Sequence, residues 1–209
     1  ERQDLELNLL QAKISPHFLY NNLSAINWLA IDCGEEKISE ITTEMATFYR
    51  TALNKGNNID RLSVEITNIK SYINLQLIAH ENEFDVEYDI DEGLLECVVP
   101  IFILQPLVEN AIIHGLDGCD NGYICIYAAQ KDGALSISVT DDGCGMSRDM
   151  VDWINSPAPA KRDGHLGLFN VIQILKIYYG EEYGMHAEVA EDGTTVTLRL
   201  PFWKEVEHE

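Results

Sequence analysis

The sequence predicts an α+β protein: an N-terminal helical hairpin that pairs into a dimeric four-helix bundle, followed by a two-layer α/β sandwich. Three observations predict it. Up to residue 80 the apolar residues recur at steps of three and four, the rhythm of helices packed on helices. From Phe84 onward, stretches of strict apolar–polar alternation appear between helical ones, the mark of strands with one wet face. Breaks at Cys33-Gly34 and Asn57-Asn58 divide the chain into a hairpin, 1–58, and a second domain, 59–209.

The first helix is expected to run to about residue 32. Leu5, Leu9, Ala12, Pro16, Leu19, Leu23, Ile26 and Ala30 form its seam, and His17 stands one residue off it, about 100° round the helix. A packed helix thus presents an imidazole on its flank, where it is expected to act as a nucleophile that accepts a phosphoryl group. A lone helix histidine would be read as structural. Glu35 and Glu36 suit the positive end of a second helix, which carries Ile38, Ile41, Met45, Phe48 and Ala52 and ends at Asn54-Lys55-Gly56. One hairpin cannot cover both its apolar stripes, so a homodimer is the expected solution, with half of an intramolecular bundle as the alternative.

After a linker at 56–62, expected to be a hinge, residues 63–80 form a helix with Ile66, Ile69, Ile73 and Leu77 on one side. Strands follow at 84–90, 124–126, 135–140 and 195–200, with helices at 101–115 and 166–179. One-faced strands interleaved with amphipathic helices give two layers.

The chain holds 14 basic and 35 acidic residues, a net charge of −21, and is 46% hydrophobic. Such a surface repels phosphate backbones and anionic membranes, so neither nucleic acid nor a membrane surface is an expected partner. An anionic nucleotide would need local backbone N–H groups and a metal ion. Five cysteines without CxxC spacing read as reduced thiols, not a zinc site. No apolar run reaches the length of a membrane span. The sequence begins at Glu1 already in helical register, and is expected to be a piece of a longer protein.

Four stretches carry candidate chemistry. In PIFILQPLVENAIIHG, read as one helix opening at Pro100, Asn110 and His114 are four apart and share a face, with Glu109 about 100° away. An asparagine amide oxygen beside a carboxylate suits magnesium, which takes hard oxygen ligands together with phosphates and water. A capped surface helix would show the same residues facing water. In VTDDGCGM, Asp141 can accept from the exocyclic amine of adenine and rejects guanine, while Gly143 and Gly145 let a ligand approach the backbone. An ordinary turn would look the same. Residues 147–165, with Pro157, Pro159 and Gly164, read as a mobile lid in which Lys161 and Arg162 are a phosphate contact or a solvated pair. Gly167 opens a helix whose N–H groups can cradle phosphate. Gly193-Thr194-Thr195 precedes the closing strand and reads as a hairpin turn.

In order and spacing, PHFLYN, LQPLVENAIIHG, DDGCG, GLFNV and GTTV resemble the LytS/YesM-type sensor histidine kinases along nearly the whole chain. The resemblance implies a dimerisation and phosphoacceptor hairpin followed by an ATP-binding domain of the GHKL type, the fold shared with gyrase, Hsp90 and MutL. It makes His17 the phosphorylated histidine and Asn110 the Mg2+ ligand, with Glu109 as the acidic neighbour. Asp141 becomes the adenine reader, Gly143 and Gly145 the shapers of its loop, Gly167 the phosphate-side glycine, and Thr195 a nucleotide-site threonine.

One box departs from the pattern Gly-x-Gly-Leu: His165 stands at its first glycine. No carboxylate follows His17, so Glu109 and solvent are the candidate bases. The implied activity is ATP-dependent autophosphorylation of His17, then transfer to an aspartate of a response-regulator protein. The implied setting is the cytoplasmic portion of a protein anchored in a bacterial membrane. A silent nucleotide-binding scaffold and an ATP-hydrolysing clamp are the alternatives.

Overall fold

The computed structural model describes residues 16–52, 58–80, 83–116, 121–162, 164–190 and 193–203. Helices α1 (Pro16–Cys33) and α2 (Glu36–Ala52) form the hairpin, turning at Gly34 with a positive φ of 74°. The expected first half of α1, and the end of α2 at 54–56, lie outside the described residues. The hairpin is stitched by side chains. Tyr20 Oη donates to the Tyr49 carbonyl at 3.0 Å, and Ser39 Oγ to Asn27 Oδ1 at 2.6 Å. Leu23 and Ala30 are buried, whereas Phe18 (67% exposed), Ile26, Trp28 (73%), Leu29 and Ile31 face outward.

Strand β1 (Ile59–Arg61) runs straight into helix α3 (Leu62–Ala79) and pairs antiparallel with β3 (Val98–Pro100). The second half of the expected 56–62 hinge is therefore fixed by a strand pairing and a helix start. Helix α3 joins hairpin to sandwich. Phe48 of α2 meets Tyr72 of α3 at a ring-centroid distance of 6.1 Å, and Asn74 Nδ2 donates to Glu44 Oε1 at 2.8 Å.

The main sheet has the order β2-β4-β5-β7-β6, comprising β2 (Phe84–Ile90), β4 (Gly122–Lys131), β5 (Ala134–Asp141), β7 (Gly193–Pro201) and β6 (Gly184–Ala190). β2 lies parallel to β4, and the other neighbours are antiparallel. Alternation decides which side chains enter the core: Ile124 and Ile126, Leu135, Ile137 and Val139, Val196, Leu198 and Leu200 point inward. They pack against Leu62, Ile66, Ile69 and Ile73 of α3 and against Leu168, Val171, Ile172 and Leu175 of α6 (Leu166–Tyr179).

Two expectations are corrected. The 101–115 stretch is not one helix opening at Pro100, because Pro100 closes β3 and residues 101–104 form a turn with Phe102 at φ +61°. Helix α4 spans Gln105–Asn110, with Pro106 in its first turn where no N–H is needed, and runs into a single π-helical turn, Ala111–Gly115. The 147–165 segment is not wholly a lid. It begins with helix α5 (Arg148–Ile154), capped by Ser147 and anchored by buried Met150, Trp153 and Ile154. Trp153 Nε1 donates to the Ala160 carbonyl at 2.7 Å, and Asn155 exchanges two 2.9 Å hydrogen bonds with Ala187 of β6.

Candidate nucleotide site

The inner face of the sheet ends in polar residues. On β5 the inward series Leu135, Ile137, Val139 closes with Asp141, and on β7 Thr194 precedes Val196 and Leu198; Asp141 and Thr194 are register partners. Both are almost fully buried, Asp141 at 3% exposure. Burial pushes the Asp141 carboxyl above its ordinary range, and the N–H groups of Gly143 and Thr194 pull it back in part. Gly143 N–H donates to Asp141 Oδ1 at 3.1 Å, which fixes one oxygen of the carboxylate.

Two glycines let the chain close around this group. A Cβ on Gly115, at the end of the π turn, would lie 2.6 Å from the Asp141 carboxyl carbon. A Cβ on Gly143 would lie 1.8 Å from the Gly115 carbonyl oxygen, which also accepts from Cys144 N–H at 2.9 Å. The 142–145 loop is thereby pressed against the π turn, and no larger residue fits at either contact. The loop's other end is held by Met146 N–H, which donates to Thr194 Oγ1 at 2.9 Å.

A cavity of about 230 Å³ opens here, lined among others by Asn110, His114, Gly115, Asp141, Gly145 and Thr194. A second, of about 180 Å³, shares Asn110, His114 and His165 with it and reaches Glu109, Pro106 and Gly167 at the start of α6. Gly167 packs closely there, since a Cβ on it would sit 3.1 Å from Pro106 Cβ. Asn110 and His114 do reach one space, as their spacing predicts. Glu109 is exposed and borders only the second cavity.

Arg162 lines the first cavity and is paired with Asp149 at 2.9 and 3.3 Å; that guanidinium holds the Asp149 carboxyl below its usual range. Lys161 is exposed and lines neither cavity, so the basic pair is split. Thr195 is corrected as well: its Oγ1 meets Thr140 Oγ1 at 2.9 Å on the outer face, and Thr194 takes the inward place. The alternation from Val196 backwards would have found it. His165 was legible only as a departure; its ring lies 6.2 Å from that of His114 and 6.3 Å from that of Trp153. Met146 and Met150 also line the first cavity, and nothing in the sequence marks them as site residues. Of His17 the structure gives the backbone, in the first turn of α1.

Among the described residues no group of three His, Cys, Asp or Glu could hold a metal by itself. The side-chain oxygen donor that borders both cavities is the Asn110 amide. An ion taking one protein oxygen and completing its shell with phosphate and water is Mg2+, so these residues fit that ion only together with a polyphosphate.

Residues 100–204 match the family model described as histidine kinase-, DNA gyrase B-, and HSP90-like ATPase, and residues 5–84 match the one described as histidine kinase. The sensor histidine kinase YesM of Bacillus subtilis is 31% identical over 98% of this chain, and the sensor histidine kinase YpdA of Escherichia coli is 33% identical over 94%. The chain spans about a third (34%) of the length of each. The histidine kinase ThkA, solved in complex with the response regulator protein TrrA, aligns over 97% of this chain and 64% of its own, with a TM-score of 0.52 and 18% identity. Among the described residues no helix is long and apolar enough to cross a membrane.

Proposed function

The chain belongs to the histidine kinase-, DNA gyrase B-, and HSP90-like ATPases, among their LytS/YesM-type sensor histidine kinases, and from that premise we propose that it is the kinase core of such a sensor. Residues 59–209 bind ATP, and 1–58 carry the acceptor, His17. The observation that carries the reading is the pair of adjoining cavities that share Asn110, His114 and His165 and run from buried Asp141 to Gly167. The adenine amine donates to Asp141 Oδ2, since Gly143 N–H occupies Oδ1. The triphosphate runs past Asn110 and His114 towards the N–H groups of α6. Asn110 would hold Mg2+, which when bound spreads the charge on the phosphate oxygens.

A neutral ring nitrogen of His17 attacks the γ-phosphorus in line. An N–P bond forms, the P–O bond to ADP breaks, and ADP leaves with the electron pair. Exposed Glu109, beside the phosphate end, takes the imidazole proton. Phosphohistidine then donates its phosphoryl group to a response-regulator aspartate, as expected from the company ThkA keeps. The outward-facing Phe18, Ile26, Trp28, Leu29 and Ile31 support a homodimer through the hairpin. The whole protein is a membrane-anchored sensor of which this is the cytoplasmic portion.

Incubation with γ-labelled ATP should give acid-labile label on the protein, and His17→Ala should abolish it while nucleotide binding persists. Steady ATP turnover without labelling would refute the kinase reading in favour of a clamp. Binding with neither labelling nor turnover would leave a scaffold.

A further inference from the structure

We infer that Glu65, which lies outside the cleft, is a positioning residue that sets the seat of the magnesium–nucleotide complex by capping the helix that carries Asn110; the inference rests on the nucleotide reading above. Glu65 is on α3, 1% exposed, with no cationic side chain paired to it among the described residues. Its two oxygens are instead spent on backbone. Oε2 accepts from Phe102 N–H at 2.8 Å and Oε1 from Leu104 N–H at 2.9 Å, with Ile103 N–H also directed at the group.

These N–H groups belong to the turn that launches α4. A helix start leaves its first N–H groups without intrahelical partners, and a side chain at the N-cap normally takes one. Here the N-cap, Leu104, has no side chain able to do so. A carboxylate from a helix some forty residues earlier holds the helix start instead, taking the N–H of the N-cap itself and those of the two residues before it. It also holds Phe102 at φ +61°, a conformation a non-glycine residue adopts only when its surroundings enforce it.

The consequence falls on Asn110. Helix α4 is only six residues long, so its first turn and Asn110 are one rigid unit. Pro106, in that first turn, packs against Gly167, which fixes α4 against the N-terminus of α6. Moving the 102–104 turn therefore moves the metal-side amide relative to the phosphate-side helix end. Phe48 of the hairpin also touches this turn, its ring 6.4 Å from that of Phe102, so the acceptor hairpin bears on the same pivot.

Glu65→Gln is the test. It keeps size and one acceptor but turns an NH2 toward a backbone N–H. Affinity for a non-hydrolysable ATP analogue is measured at pH 8, where Glu65 is ionised, in Mg2+ and in EDTA. The gain on adding Mg2+ should fall about tenfold, the worth of one charge-assisted hydrogen bond, while affinity in EDTA stays within about threefold. A gain that survives the substitution, or an equal loss in both buffers, overturns the inference alone. No gain in the wild type sinks the nucleotide reading and the inference with it. Should the variant fail to fold, amide exchange on the wild type decides. The Phe102–Leu104 amides should be protected, and more so with Mg2+ and analogue than with analogue in EDTA. Exchange there that ignores Mg2+ overturns the inference.

Discussion

Asp141→Asn separates recognition from stability, because the two should move in different directions. In the wild type Asp141 Oδ1 accepts from Gly143 N–H at 3.1 Å, the Thr194 N–H is directed at the same carboxylate, and the adenine amine would donate to a remaining lone pair of Oδ2. Asparagine has one acceptor oxygen. If it keeps the Gly143 bond, its NH2 faces the adenine amine, donor to donor. If it turns over to serve adenine, its NH2 faces the Gly143 N–H instead. Either way one hydrogen bond to a charged acceptor is lost, about 1.5–3 kcal/mol, or roughly 10- to 150-fold in affinity.

Stability runs the other way. The carboxyl is buried and its folded-state pKa is raised, so the folded protein is destabilised as pH rises from about 4 through that raised value. At pH 7.5 the neutral amide removes that penalty. Calorimetric titration with ADP and a thermal melt of the free protein check both halves: affinity should fall by the stated factor, and Tm should hold or rise. Affinity within about threefold of wild type would remove Asp141 from the site. Affinity lost together with a fall of several degrees in Tm would show a structural carboxylate and refute the reasoning.

Thr194→Ala should weaken nucleotide binding by about five- to tenfold, because it frees the Met146 N–H that shapes the adenine loop, whereas Thr195→Ala should change it less than twofold. The same titration reads both, and the reverse ranking would mean that the register of β7 has been misassigned. Glu65 titrates at about 7 against an unfolded value of 4.5, raised chiefly by burial. Its contribution to stability is therefore full below about 4.5 and is lost as pH rises through 7, on the order of 3 kcal/mol in all. Denaturant unfolding at pH 5 and 8 should show that loss in the wild type and not in Glu65→Gln; equal slopes in the two proteins would contradict it.

What the sequence made legible is what periodicity encodes. Steps of three and four along Ile66, Ile69 and Ile73 need only one helix and one apolar neighbour, so α3 could be read directly. The same holds for β5, where alternation carries Asp141 to the inner face. What escaped depends on contacts between distant segments. Pro100 looks like a helix opener until Ile59 is known to pair with it across β1 and β3. Gly115 and Gly143 each look like ordinary loop glycines, and only their mutual approach makes them indispensable. Helix α5 was missed because Pro157, Pro159 and Gly164 coloured the reading of the segment before them, although Ser147 with Met150, Trp153 and Ile154 already signals a capped, one-faced helix. The Glu65 cap joins two stretches that share no local pattern.

The position of α3 constrains how acceptor and cleft can meet. The buried stripe of α3 packs on the sheet and holds α4 through Glu65, and α3 also receives α2 through Tyr72 and Asn74. Because β1 ties residues 59–61 to 98–100, rotation of the hairpin cannot be absorbed there. Such a rotation would leave the sandwich core untouched. It would exchange the Phe48 ring contacts with Tyr72 and Phe102 and the hydrogen bond from Asn74 to Glu44, about 0.5–1.5 kcal/mol each. A few kilocalories per mole is a barrier that a sensor's conformational signal can supply, whereas parting α3 from the sheet would expose Leu62, Ile66, Ile69 and Ile73 at about 1.5–3 kcal/mol apiece. On the proposed kinase reading the hairpin would therefore move over α3, with α3 staying on the sandwich, and the Phe48 contacts are the ones such a movement would exchange.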